Sequence, residues 1–160
     1  RAHALHIPTS ATMMFGHIEL IEERISHLIA LRDVQAQKPE TSQGFATFVP
    51  WTFQDANTEL KTKLNIHNTV SPVEYIRMIA ISRLMLPNIH NIQASWLTVG
   101  PHIAQLCLWA GANDLGSIMI EENVVSKAGS TFCLDKVAME HTIRNAGFIP
   151  QLRDQAYNYV

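Results

Sequence analysis

The 160-residue chain is 47% hydrophobic and 16% charged, which suits one globular unit with a real core and excludes a disordered or low-complexity segment. Twelve basic against fourteen acidic residues leave a formal charge of -2, without the basic surface that nucleic acid or an anionic membrane requires, so neither partner is expected. No apolar run approaches the roughly 20 residues of a membrane span. Two cysteines, Cys107 and Cys133, are too few for a disulfide framework and point to a reducing compartment, with the cytoplasm as the expectation.

The chain opens at Arg1 in what reads as the tail of a helix, and it is expected to be a piece of something longer. Residues 7–15 (IPTSATMMF) are rich in Thr and apolar side chains, end at Gly16, and read as a buried strand. From residue 18 to about 37, Leu20, Ile21, Ile25, Leu28, Ile29, Leu31 and Val34 recur at three- and four-residue steps, the period of an amphipathic helix, which Pro39 limits. Residues 45–51 (FATFVPW) form the next strand, and residues 52–70 have no convincing period and read as a long loop, a length often tied to function. Ser71 followed by Pro72 supplies an N-cap and a first-turn proline, so residues 73–86 continue as an apolar helix that Pro87 stops. Residues 91–98 (NIQASWLT) read as a third strand, and Pro101 opens a third helix closed by Gly111. Residues 114–120 (DLGSIMI) read as a fourth strand, and residues 134–146 as a last helix.

Strict strand–helix alternation predicts an α/β fold with parallel strands and right-handed crossovers. Either a doubly wound sheet or a (β/α)8 barrel fits. Four β-α units are half a barrel, and a complete one needs about 250 residues, so the arithmetic favours half a TIM-type barrel as a single domain, with two open sheet edges.

Ligands gather at the carboxyl ends of parallel strands. There the chain carries Gly16, His17 and Glu19, then Trp51, then Ser95 and Trp96, and then Glu121, Glu122 and Asn123. His17 and Glu19 are the residue types for a base, a metal ligand or hydrogen bonding. The alternative is a carboxylate that suits the dipole of the following helix. Glu121 and Glu122 are adjacent and point apart, which rules out a glycosidase-type pair and leaves one of them to face a site. Trp51 and Trp96 offer flat apolar surface to a ring-bearing ligand, or simply close the barrel end. The histidines lack zinc spacing, and no phosphate loop, GxSxG elbow or strand-end cysteine occurs.

The stretches Pro8 to His17, Phe48 to Trp51, Asn91 to Trp96 and Gly111 to Val125, in that order, resemble the radical SAM enzymes of quinone and deazaflavin biosynthesis. The likeness is nearest to the members that cyclise dehypoxanthine futalosine on the futalosine route to menaquinone, with the aminofutalosine-forming and deazaflavin-forming members next. It implies that the four strands are the last four of a radical SAM barrel. Such enzymes carry G-x-I-x-G-x-x-E on the fifth strand beside the adenine of S-adenosylmethionine. Residues 12–19 (TMMFGHIE) match it at Gly16 and Glu19 with Met14 in the hydrophobic position, and depart from it at Thr12.

The resemblance therefore places Met14, Gly16 and Glu19 on the cofactor side. By position alone it turns His17, Trp51, Gln93, Trp96, Glu121 and Glu122 toward a nucleoside substrate. The family's CxxxCxxC motif, which holds a 4Fe-4S cluster, does not occur in these residues. Cys107 and Cys133 are too far apart to replace it, so the chain alone is expected to be inert. Two rival readings are a non-catalytic half-barrel module that dimerises through its open edges, and a metal-dependent aldolase- or hydrolase-like half-barrel using His17 and Glu122.

Overall fold

The strands form because β-branched, aromatic and apolar residues alternate faces, and the computed structural model, which describes residues 1–118 and 132–160, shows that alternation directly. In β1 (Thr9–Phe15), Ala11, Met13 and Phe15 are buried while Ser10, Thr12 and Met14 are exposed. β2 (Phe45–Thr52) lies parallel to it with Met14 opposite Trp51 and Phe15 opposite Thr52, and β3 (Asn91–Ile92) adds in parallel, giving the order β1-β2-β3. One face of the sheet is packed by helices. These are α1 (Ile21–Ala36), α3 (Pro72–Met85) and α5 (Pro101–Trp109), and Leu28, Tyr75, Met78 and Ile79 meet Phe15, Phe48 and Ile92 in one continuous core.

A proline in a central strand ordinarily removes a ladder hydrogen bond. Phe48 O accepts from Gln93 N at 2.9 Å, so by the two-residue period Pro50 also faces the β3 side, where β3 has already ended. Its carbonyl is not wasted. The fully buried Tyr75 hydroxyl donates to Pro50 O at 2.9 Å and accepts from Ser95 N at 2.8 Å. One phenol thereby satisfies the two backbone groups left where the sheet gives out.

Helix starts follow their caps. Ser71 Oγ accepts from Glu74 N ahead of α3, and Asp135 Oδ1 accepts from Ala138 N at 2.7 Å ahead of α6 (Lys136–Asn145). α1 begins at Ile21, later than the apolar period suggests, because Glu23 Oε2 accepts the Leu20 N–H at 2.7 Å and fixes Leu20 as the residue before the helix. The 52–70 loop contains a short helix, α2 (Glu59–Leu64), capped by Thr58.

The sequence reading of residues 91–98 as a strand is corrected. Only Asn91 and Ile92 are in β3, with Gln93 in a single bridge, and Trp96–Val99 is a short helix, α4. Trp, Thr and Val favour strands, but Gly100 at φ +84° and Pro101 make the last turn before α5, and Gly100 N donates to Trp96 O at 2.8 Å. The expected fourth strand is represented by one parallel bridge, Gln93 to Asp114, with Ala94 N donating to Asp114 O at 2.9 Å. Four full β-α units are thus not seen among the described residues. The end of that expected strand, with Glu121 and Glu122, lies outside them.

Candidate functional site

The site is built where β1 stops. Gly16 takes φ +96°, and a Cβ there would lie 2.3 Å from Val70 Cγ2 and 3.0 Å from Asn68 Oδ1. Glycine is required because the 52–70 loop returns onto this turn, with Thr69 N donating to Gly16 O at 2.9 Å. The loop is itself braced by Asp55, whose carboxylate accepts from Asn68 N at 3.1 Å and pairs with Lys61 at 3.2 Å. The Asn68 N–H, ahead of Lys61, holds the Asp55 carboxyl below its ordinary range.

Glu19 folds back under the turn. Its carboxylate accepts from Gly16 N at 2.6 Å and from His17 N at 3.0 Å, and Arg24 Nε donates to it at 2.7 Å. Partial burial alone raises the Glu19 carboxyl. The N–H groups of Gly16 and His17, with Arg24, more than reverse that and leave it below the usual carboxylate range. Arg24 is buried, lies 4.9 Å over the Phe15 ring, and pairs through its other arm with Glu74 at the start of α3. One guanidinium therefore joins the end of β1, α1 and α3. Arg24 escaped the sequence reading. Its signal was an arginine inside an apolar helical period, one turn beyond a carboxylate at a strand end.

His17 Nδ1 lies 2.8 Å from Ile18 N, which donates to it, and 3.3 Å from Glu19 Oε2, and the ring meets Phe53 edge-on at 5.8 Å. Met14, His17 and Glu19 line a cleft of about 230 Å³ along the outer edge of β1 with Thr12, Arg24 and His27. On that edge His27 Nε2 lies 3.1 Å from Thr12 O.

A second cavity, of about 480 Å³, opens on the sheet face away from the helices. Ser10, Thr47, Val49, Gln93 and Trp96 line it, together with Arg153, Gln155 and Tyr157 from the last segment of the chain. The expected site residues thus divide between two hollows. Met14, His17 and Glu19 share the cleft; Gln93 and Trp96 share the cavity; half-buried Trp51 sits beside Met14 in register. Trp96, expected to offer an open ring at a strand end, is instead only 3% exposed as the first residue of α4 and contributes wall. Glu121 and Glu122 lie outside the described residues. Residues 153–157 have no period and no motif, so nothing in the sequence marked them as lining.

Neither cysteine has a partner: Cys107 is buried, with burial pushing its thiol up to about 12, and Cys133 is exposed. Among the described residues no group of three or more His, Cys, Asp or Glu is placed to hold a metal ion, and no helix is long and apolar enough to cross a membrane.

Comparison with known proteins matches residues 42–160 to the model of the CofH/MqnC C-terminal region. The chain is 43% identical over 159 residues to a cyclic dehypoxanthine futalosine synthase from Streptomyces coelicolor, covering 99% of this chain and 38% of that protein. It is 43% identical over 152 residues to a protein of the same name from Halalkalibacterium halodurans, covering 94% and 39%. To an aminodeoxyfutalosine synthase from Thermus thermophilus it is 38% identical over 161 residues, covering 99% and 42%. The chain spans about two fifths of the length of these relatives. With the model matched over well more than half its residues, the chain belongs to the CofH/MqnC C-terminal region family.

Proposed function

We propose that this chain is the C-terminal half of a radical SAM barrel, in an enzyme that converts dehypoxanthine futalosine to its cyclic form. The observation that carries the reading is the 43% identity to two proteins of that name along nearly the whole chain. The parallel β1-β2-β3 order with helices on one face and an open cavity on the other supports the half-barrel, since a barrel's lumen is the sheet face without helices.

S-adenosylmethionine bound to a 4Fe-4S cluster supplies the family's radical chemistry. The residues described here do not fit the cluster: Cys107 and Cys133 are single, separated thiols, one of them buried. Its ligands belong, on this reading, to the part of the relatives that this chain does not cover. The adenosyl side of the cofactor fits the cleft better, where Met14 offers apolar surface. Glu19 there is a positioning residue: Gly16, His17 and Arg24 engage its carboxylate, so it shapes the turn that meets the ligand. The substrate side falls, by strand-end position alone, to His17, Trp51, Gln93, Trp96, Glu121 and Glu122, of which His17 lines the cleft while Gln93 and Trp96 line the cavity.

The test is anaerobic iron–sulfur reconstitution of the full-length protein that carries this chain. Broad iron–sulfur absorbance, and reductive cleavage of S-adenosylmethionine to 5′-deoxyadenosine, are the expected results. A full-length protein that takes up no cluster contradicts the proposal.

A further inference from the structure

Tyr75 is fully buried on α3, and its side chain reaches the ends of all three strands. Its ring stacks on Phe15, the last residue of β1, at 6.0 Å and 8° between planes. Its hydroxyl lies between Pro50 O of β2 and Ser95 N beyond β3, at 2.9 and 2.8 Å. Packing alone needs no oxygen here, since phenylalanine fills nearly the same space. The oxygen matters because the groups it joins are of opposite kind, and one hydroxyl can donate to the carbonyl while accepting from the N–H. The ladder between β2 and β3 ends at Phe48 and Ile92, before either group, so the phenol links the two segments where the sheet no longer does.

Both groups stand one residue before a tryptophan. Trp51 follows Pro50, and by the alternation of β2 it shares a face with Val49, which lines the cavity on the open side of the sheet. Trp96 follows Ser95, and both line that cavity. Tyr75 itself packs on the opposite face, in the core with Met78 and Ile79. It therefore holds from behind the two backbone segments that carry indole rings to the front. A second tie lies further along the same segments: Gln54 Nε2 donates to Thr52 Oγ1 at 2.9 Å and reaches Thr98 O at 3.4 Å, and Thr98 Oγ1 donates to Ser95 O at 3.1 Å. The tie through Tyr75 to Pro50 is buried, so water cannot replace it once the hydroxyl is removed.

We propose that Tyr75 is a positioning residue: by joining Pro50 O to Ser95 N, its hydroxyl sets the spacing of Trp51 and Trp96, and with it the shape of the substrate side, without itself meeting the ligand. That these tryptophans face the substrate rests on the proposed function; the hydroxyl bridge and its place behind both of them do not.

The experiment compares full-length wild type, Tyr75→Phe and Ile79→Val in steady-state turnover of dehypoxanthine futalosine. In parallel, fluorotryptophan-labelled protein is followed by fluorine NMR, with resonances assigned through W51F, W96F and W109F. Y75F keeps the ring on Phe15 and removes only the oxygen. It is expected to raise KM for dehypoxanthine futalosine roughly three- to tenfold, the scale of one lost hydrogen bond, with kcat within about twofold. KM for S-adenosylmethionine should not change, since the cofactor is assigned to the cleft beside β1. The Trp51 and Trp96 resonances should both move, while that of exposed Trp109, at the end of α5, stays. I79V trims another buried side chain of α3 and is expected to lower the urea midpoint without moving either KM. p-Aminophenylalanine at position 75, whose amine still donates to Pro50 O, should fall between wild type and Y75F, and it carries the test if Y75F does not fold. Unmoved Trp51 and Trp96 resonances, an unchanged KM for dehypoxanthine futalosine, an equal rise in both KM values, or the same rise in I79V would overturn the proposal. Moved resonances in a protein whose wild type yields no cyclised product would overturn the proposed reaction and leave the positioning of the two tryptophans standing.

Discussion

Replacing Arg24 with methionine is expected to destabilise the protein by about 3 kcal/mol at pH 7, within the range for removing one partner of a buried ion pair. The substitution nearly preserves volume, so packing over Phe15 survives. What is lost is the cation between two carboxylates, Glu19 and Glu74. The pH dependence identifies the cause. In the wild type the Glu19 carboxyl lies below its usual range, so its contacts contribute stability above the unfolded-state value near 4.3 that is lost as pH falls through the folded value. The deficit of the variant should therefore be full at pH 7 and shrink below about pH 4, as both proteins protonate the group. Urea unfolding at several pH values measures this, and a deficit independent of pH would assign Arg24 a packing role only.

Gly16→Ala is expected to cost about 2–3 kcal/mol and to weaken S-adenosylmethionine binding in the full-length protein. Two terms contribute. A Cβ would collide with Val70 Cγ2 at 2.3 Å, and any L residue is strained at φ +96°. The double variant G16A/V70A separates them: trimming Val70 relieves the collision and recovers part of the loss, while about 1 kcal/mol of backbone strain remains. Full recovery would show that the conformation of the turn is not the constraint.

Much of the fold was legible because it rests on local signals. Ser71 and Pro72 mark the start of α3, and the Thr-rich run at residues 7–15 and the apolar run at residues 45–51 give β1 and β2 to within two residues. Misreadings arose where a distant partner decides the local conformation. Trp96 and its neighbours have strand-forming side chains, yet the sheet ends at Ile92 and the chain coils as soon as it leaves the ladder. Ile18 and Leu20 continue the apolar period of α1, but both are exposed, because Glu19 is drawn back under Gly16 and Leu20 is fixed by Glu23.

The candidate site was legible in the same measure. Strand ends located Gly16, His17 and Glu19, and the structure brings them to one turn. Arg24 and the wall at residues 153–157 were missed, since a side chain that reaches across 50 residues to Glu74, or across 39 to Asp114, leaves no short-range pattern.

The central claim is that the protein carrying this chain closes dehypoxanthine futalosine into its cyclic form. Reconstituted full-length protein, supplied with reductant, S-adenosylmethionine and dehypoxanthine futalosine, should yield the cyclised product by mass spectrometry. Formation of no cyclised product, with a sister substrate of the family turned over instead, would contradict it.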